Sequence, residues 1–298
     1  MTRAFSSRVF RFAPSPNGHL HLGHAYSALL NFRLARDSAG RLLLRIENID
    51  LDRCRREFEE GIFEDLRWLG MEWETPVRRQ SEHFCDYARA LASLSSRGLT
   101  YPCFCSRRDI LEAVAGKPGW PVDPDGSPLY PGICKGLSEK NRQRRLAAGE
   151  PASLRIDMAA ALAQLTGPLE WLEASRGDKT TFVRANASVW GDTLLSRKDI
   201  PASYHIAVVV DDALQEVTDV ARGEDLFMAT SLHRLLQSLL GLPAPTYLHH
   251  ALMRDANGRK LSKSSMAKSI RALREEGYSP AKVVGMLSPD VITAPANS

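Results

Sequence analysis

Nowhere in its 298 residues does the chain carry an apolar run approaching the ~18 residues of a membrane span. No membrane association is expected. The start, MTRAFSSRVFRF, lacks the continuous apolar stretch of a secretory signal, so a cytoplasmic protein is expected. Cysteines are few and odd in number, five in all. In a cytosolic setting that argues against a disulfide framework. There is no internal repeat and no low-complexity tract. A net charge of +4 is too mild to identify a polyanion binder by itself.

What is present fits a globular protein with a full core and two domains: 44% of residues are hydrophobic and 25% charged. Val9–Phe12 reads as a strand stopped by Pro14 and Pro16. A helix follows from Leu22 to about Asp37, then an aliphatic strand, Arg41–Ile46, suited to a buried parallel sheet. Phe58, Ile62, Leu66 and Leu69 recur at helical spacing over residues 57–69, which Gly70 ends. Residues 82–97 predict another helix, stopped by Gly98. Strand, helix, strand, helix is a βαβ pattern, so a parallel sheet covered by helices is expected. Further on, residues 118–131, rich in Pro, Gly and Asp, read as an inserted loop. Residues 204–210 read as an aliphatic strand ending at Asp211-Asp212, 226–240 as a helix, and 247–253 as a strand. Residues 293–298 read as a frayed tail. Cys54 and Cys85 fall in helical patterns and read as small buried apolar residues.

Two segments carry chemistry. His21-Leu22-Gly23-His24 stands where a helix begins, and a helix start suits phosphate through its N–H groups and dipole. Imidazoles add donors for the charge that develops on an α-phosphorus, and Gly23 lets a nucleotide lie against the backbone. Far along the chain, Lys260 and Lys263 follow a turn rich in small polar residues and alternate with serines. Two ammonium groups on such a loop suit departing pyrophosphate. Either segment alone is matched by an ordinary polar turn; together they point to ATP-dependent activation of a carboxylate. The basic clusters at Arg142, Arg144 and Arg145 and at Lys260, Lys263, Lys268, Arg271 and Arg274 are either solvated faces or contacts for ATP or RNA phosphates.

The run Arg11-Phe12-Ala13-Pro14-Ser15-Pro16-Asn17-Gly18-His19-Leu20-His21-Leu22-Gly23-His24-Ala25 resembles the signature of the class I glutamyl-type aminoacyl-tRNA synthetases. Arg45-Ile46-Glu47-Asn48-Ile49-Asp50 resembles the family's next block. Ala207-Val208-Val209-Val210-Asp211-Asp212 and Val220-Ala221-Arg222-Gly223-Glu224-Asp225 resemble two more. The order and spacing hold across most of residues 9–264. The resemblance implies a doubly wound, Rossmann-like parallel sheet as catalytic domain, with an inserted acceptor-type subdomain and a short helical stem at the end. Segments follow as 1–100 and 191–253 for the two catalytic halves, 101–190 for the insert, and 254–298 for the lysine loop and stem.

Glutamate offers two carboxylates and one ammonium, so its pocket needs two cationic forks and an anion. Carried over from the matching motifs, Arg11, Phe12, Ala13, Pro14, Ser15, Glu47, Tyr204 and Arg222 form that pocket. Arg11 and Arg222 serve the carboxylates and Glu47 the ammonium, with hydroxyls from Tyr204 and Ser15. Which arginine takes which carboxylate is open. ATP is expected to come with Mg²⁺.

Cys103, Cys105 and Cys134 around one loop suggest zinc, but a tetrahedral site needs a fourth ligand, and no histidine lies between Cys105 and Cys134. The small glutamyl-synthetase-like enzymes that modify queuosine carry a Cys-x-Cys…Tyr-x-x-x-Cys site. This segment resembles it, with Tyr130 as fourth ligand and one structural zinc per chain; its loop, 106–129, is long. Little chain follows Ser264, where conventional glutamyl-tRNA synthetases continue into an anticodon-binding region. The resemblance to those queuosine enzymes implies transfer of glutamate to queuosine in the anticodon of tRNA(Asp), and a monomer is expected. Three alternatives stand beside it, one being a small-molecule adenylyltransferase, which would share the histidine motif but not need the Glu47 and Arg222-Gly223-Glu224-Asp225 blocks. A minimal glutamyl-tRNA synthetase would charge the 3′ end, and transfer that persists without queuosine would mark it. A non-catalytic RNA-binding paralogue would not need His21, His24, Lys260, Lys263, Arg11 and Arg222 all intact.

Overall fold

The computed structural model describes residues 7–175, 179–253 and 268–287. Strand β1 (Val9–Phe12) is buried along its whole length, as expected of the middle of a parallel sheet. The chain then enters the helix Leu22–Asp37, which returns it to β2 (Arg41–Ile46), parallel to β1 with Val9 opposite Arg41. Gly40 is required at that return: a Cβ there would lie 2.5 Å from the Arg8 carbonyl oxygen. The helix Arg56–Trp68 buries Ile62 and Leu66 and hands over, through Gly70 at φ +78°, to β3 (Glu74–Arg79).

After the helix Phe84–Ser96 come β4 (Thr100–Cys103) and β5 (Ser153–Ile156), then the hairpin strands β6 (Glu170–Ala174) and β7 (Thr180–Arg184), and β8 (Leu194–Ser196). Then come β9 (Asp219–Gly223), the helix Phe227–Leu240 and β10 (Thr246–His250), and the short helices Ile270–Glu275 and Pro280–Gly285 follow. The large sheet runs β3-β2-β1-β9-β10-β6-β7, parallel except for β7; β4, β5 and β8 make a small antiparallel sheet. Thus the hairpin 170–184 of the 101–190 segment lies in the large sheet, while β8, beyond that segment, completes the small one. The order reverses between β1 and β9. Open α/β sheets place ligands at such a reversal, beyond the carboxyl ends of the strands. Arg11 on β1 and Arg222 on β9 stand near those ends.

Residues 204–210 are not a strand. They belong to the helix Tyr204–Leu214, buried from Ile206 to Asp212 and packed against the helices Phe84–Ser96 and Phe227–Leu240. A helix enclosed on all sides needs no polar face, so its aliphatic run lacks the 3.6-residue signal and mimics a buried strand. Cys54 lies half-buried in the loop before the helix Arg56–Trp68, and Cys85, though helical, is exposed. Neither is a core residue. The loop 118–131 is held by an isolated bridge between Val122 and Pro128 and by the Trp120 indole N–H on the Leu129 carbonyl (2.9 Å). Residues 254–267 and 293–298, with Lys260 and Lys263, lie outside the described residues. Among those described, no helix is long and apolar enough to cross a membrane.

Asp65 marks a cost in the packing of the helix Arg56–Trp68 on the helix Ile270–Glu275. It is wholly buried, neither carboxylate oxygen has a hydrogen-bond partner among the described residues, and Arg274 stays 3.8 Å away. Burial raises its pKa from 3.8 to about 6. The folded pKa exceeds the unfolded one, so the neutral form is tolerated below 3.8 and the penalty grows as pH rises through 6. Asp65→Asn is therefore expected to stabilise the protein by ~1–2 kcal/mol at pH 8 and by much less at pH 4. Urea unfolding at the two pH values checks this, and an equal difference at both contradicts it.

Candidate active site

At the sheet reversal lies a cavity of about 580 Å³. Arg11, Phe12, Ala13, Pro14, Ser15, His21, Gly23, His24, Glu47, Tyr204 and Arg222 all line it. These come from β1 and β9, the residue after β2, the turn after β1 and two helix starts, so the described residues expected at the ATP and glutamate sites line one cavity, while the expected metal ligands lie elsewhere. The sequence reading missed Asn17, Tyr26, Ser27, Gly223, Asp225, His250 and Leu252 on the same walls. The end of β10 was open to inference, because it is the next strand beside the reversal. Gly223 has a packing reason: a Cβ there would meet Asp225 Oδ1 at 2.4 Å and Leu252 at 2.9 Å.

His21 caps the helix Leu22–Asp37. Its Nδ1 accepts from the Gly23 N–H at 3.1 Å, and its own N–H donates to His24 Nδ1 at 3.2 Å. Both Nδ1 atoms thus accept, which leaves the proton of each neutral ring on Nε2. The rings lie 3.8 Å apart, centroid to centroid. The imidazoles, rather than bare amides, form the helix end. Gly23 also proves to be a packing requirement, since a Cβ would press to 3.0 Å on the His21 ring.

Beneath the cavity is a buried charge network. Arg45, fully enclosed, reaches Asp212 at 2.8 Å, Glu47 at 3.2 Å and Asp211 at 3.8 Å. Arg11 Nε pairs with Asp212 at 3.2 Å, and Arg78, Gln80 and Tyr87 all donate to Asp211. Burial opposes the charge on Arg45, but the three carboxylates outweigh it and hold its pKa above the ordinary value. At Asp212 burial is likewise outweighed, by Arg11 and Arg45, and its pKa is lowered. Burial raises Glu47 despite Arg45 and Arg11. Burial pushes Tyr204 up to about 12, so its hydroxyl stays a donor. Asp211 and Asp212, read from the sequence as the end of a strand, are instead the counter-charges that fix Arg45, Arg78 and Arg11. A second cavity of about 340 Å³ shares Ser15, Asn17, Glu47 and Tyr204 and extends past Asp50 and Arg197.

The cysteines form a separate cluster on the small sheet. The sulfurs of Cys103, Cys105 and Cys134 lie within 4.8 Å of one another. Cys105 and Cys134 are 3.5 Å apart, near the ~3.8 Å edge of a tetrahedron with 2.3 Å metal–sulfur bonds. The Tyr130 hydroxyl lies 3.4 Å from Cys105 Sγ and accepts the Cys134 N–H at 2.7 Å. Phe104 N–H donates to Cys134 Sγ at 3.3 Å. Burial works against a thiolate at Cys103 but is outweighed by Tyr130 and Arg155, so its pKa falls; burial pushes Cys105 up to about 12. Thiols bind a metal as thiolates, and three sulfurs this close would need a cation between them to ionise; the donor set fits one tetrahedral metal ion.

Two of the arginines read as either a solvated face or phosphate contacts pack here. Arg142 donates to the Lys135 carbonyl, and Arg145 pairs with Glu150 and covers the Phe104 ring. Lys268, Arg271 and Arg274 are likewise paired, with Glu276, Glu275 and Glu64.

The family described as tRNA synthetases class I (E and Q), catalytic domain, matches residues 8–294. The glutamyl-Q tRNA(Asp) synthetase of Rhodobacter capsulatus is 47% identical over 276 residues, 92% of this chain and 98% of that protein. The Aquifex aeolicus glutamate–tRNA ligase is 36% identical over 91% of this chain but 54% of its own length. Among solved structures, a glutamate tRNA ligase from Elizabethkingia meningosepticum, in complex with its amino acid, superposes with a TM-score of 0.74 at 28% identity. That superposition covers 92% of this chain and 59% of the ligase. The mostly parallel sheet with its reversal, the cavity upon it and these matches lead to one conclusion: the chain belongs to the glutamate- and glutamine-type class I tRNA synthetases and is an ATP-dependent ligase.

Proposed function

We propose that the protein activates L-glutamate with ATP to glutamyl-AMP and transfers the glutamyl group to queuosine in the anticodon of tRNA(Asp), in the cytoplasm. The observation that carries this reading is the convergence of Arg11, Glu47, Tyr204 and Arg222 on the cavity that His21 and His24 also line. Two guanidinium groups suit two carboxylates, and Glu47 suits the ammonium. Activation joins a glutamate carboxylate oxygen to the α-phosphorus and expels pyrophosphate. Nε2–H groups of His21 and His24 are the donors for the charge that builds there, and Lys260 and Lys263 serve the pyrophosphate. Mg²⁺, when bound with ATP, neutralises phosphate charge. In transfer, a hydroxyl of the modified base attacks the anhydride carbonyl; an ester forms and AMP leaves. The second cavity meets the first along Glu47 and Tyr204, which supports it as the side from which the base approaches.

Queuosine rests on the relatives named for glutamyl-Q tRNA(Asp), of which the Rhodobacter protein matches this chain nearly end to end. Zinc is the proposed ion of Cys103, Cys105, Cys134 and Tyr130, because three thiols and a phenol at tetrahedral spacing suit it. When bound, zinc staples the small sheet and takes no part in the reaction. The test uses labelled glutamate, ATP and tRNA(Asp) with and without queuosine. Label should enter only the queuosine-bearing tRNA. Equal labelling of both would instead mark a synthetase that charges the 3′ end.

A further inference from the structure

Arg222 sits in a socket that uses nearly all of its hydrogen-bonding capacity. A guanidinium has five N–H donors and no acceptor. Its Nε–H meets His249 Nε2 at 3.2 Å, and one NH1 hydrogen meets His233 Nδ1 at 3.2 Å. The NH2 pair goes to Thr230 Oγ1 at 2.7 Å and the Leu226 carbonyl at 3.2 Å. Among the described residues one donor, the second NH1 hydrogen, is left for the cavity.

Because arginine only donates, both imidazoles must accept from it, and their protons must sit on the opposite nitrogens. For His249 that nitrogen is Nδ1, held by Glu173 at 2.9 and 3.0 Å. For His233 it is Nε2, which faces His205 Nδ1 at 3.1 Å. Glu173 is itself fixed by the Trp171 indole N–H at 2.9 Å and the His249 backbone N–H at 2.9 Å. Burial holds all three histidines below their ordinary pKa, His205 at about 4, so neutral rings are favoured.

We propose that Glu173 and His249, with His233 and His205 behind, are positioning residues for glutamate: they lock the imidazole tautomers so that Arg222 offers a single N–H to one substrate carboxylate. The paired NH1 and NH2 edge of Arg11, whose Nε alone is bound among the described residues, to Asp212, takes the other carboxylate. Glu173 reaches this site from β6, the strand beside β10, and acts through His249 without touching substrate. The inference rests on the glutamate-activation reading above.

Three variants in glutamate-dependent ATP–pyrophosphate exchange test it. Glu173→Ala frees the His249 ring to carry its proton toward Arg222, setting donor against donor. KM for glutamate should rise about tenfold or more, with kcat and KM for ATP within about twofold. His249→Gln keeps an acceptor where Nε2 stood and should stay within about threefold of wild type. Placed in the Glu173→Ala background, it should recover most of the lost affinity, since an amide oxygen needs no tautomer lock. An unchanged glutamate KM in folded Glu173→Ala overturns the proposal. So does a double variant as impaired as Glu173→Ala alone, which would mark a purely structural role. Histidine-ring ¹⁵N spectra of the wild type decide the tautomer independently: the proton belongs on Nδ1 of His249 and on Nε2 of His233, and the reverse at either ring defeats the proposal. Absence of glutamate-dependent exchange in the wild type would defeat the activation reading instead, and the ring spectra would still judge the socket.

Discussion

Arg222→Ala should abolish glutamate-dependent exchange of pyrophosphate into ATP. Two losses combine. The substrate carboxylate loses its partner in an enclosed site, and His249, His233 and Thr230 lose the donors that now satisfy them. Stripping one partner from a buried ionic contact costs about 3–5 kcal/mol, or roughly two to four orders of magnitude in kcat/KM for glutamate. The loss should fall on glutamate, with ATP affinity held, because His21 and His24 stand on another element. Arg222→Lys should recover little: an ammonium brings charge but cannot fill four directed contacts and still face the cavity. Exchange kinetics and a melting curve on both variants check this. Exchange at the wild-type level in Arg222→Ala would remove Arg222 from the site.

The second large effect concerns the cysteine cluster. Protein purified under reducing, chelator-free conditions should carry about one zinc per chain. Cys134→Ser should bring that close to zero, lower the melting temperature and open the loop 106–129 to protease. Cys134 is buried and receives the Phe104 N–H, so its loss disturbs backbone as well as ligand. Glutamate activation should survive in good part, because the cluster belongs to the small sheet rather than to the cavity walls. A wild-type stoichiometry near zero would remove the metal. Equal loss of activation and of zinc would deny that its role is structural.

What the sequence disclosed and what it hid follow from how locally each feature is encoded. The helix Leu22–Asp37 was legible because prolines stop the strand before it and His21 caps it. The strands β1 and β2 were legible as short aliphatic runs between turns. The helix Tyr204–Leu214 was not, because enclosure on every side erased its amphipathic period. Of the cavity, Arg11, Glu47, Tyr204, Arg222 and the two imidazoles were singled out, Asn17, Gly223 and Asp225 stood unremarked inside the matching motifs, and the Arg222 socket was not seen. Glu173 and His249 are 76 residues apart and meet only when β6 and β10 pair, so no local pattern announces them. Gly23 has a packing reason that its sequence context did not show, since the His21 ring already occupies the space that a side chain would need. Arg45 looked like one more motif residue, yet it is the fully buried cation on which Glu47 and Asp212 turn.

The central claim is that carboxylate activation takes place in the cavity at the sheet reversal, between the arginines and the paired imidazoles. The most direct test is a crystal structure with a non-hydrolysable glutamyl-adenylate analogue. Its glutamyl carboxylate should lie against Arg11 or Arg222, its ammonium at Glu47 and its phosphate mimic beside His21 and His24. An analogue bound elsewhere, or one that reverses these ends, would contradict the account.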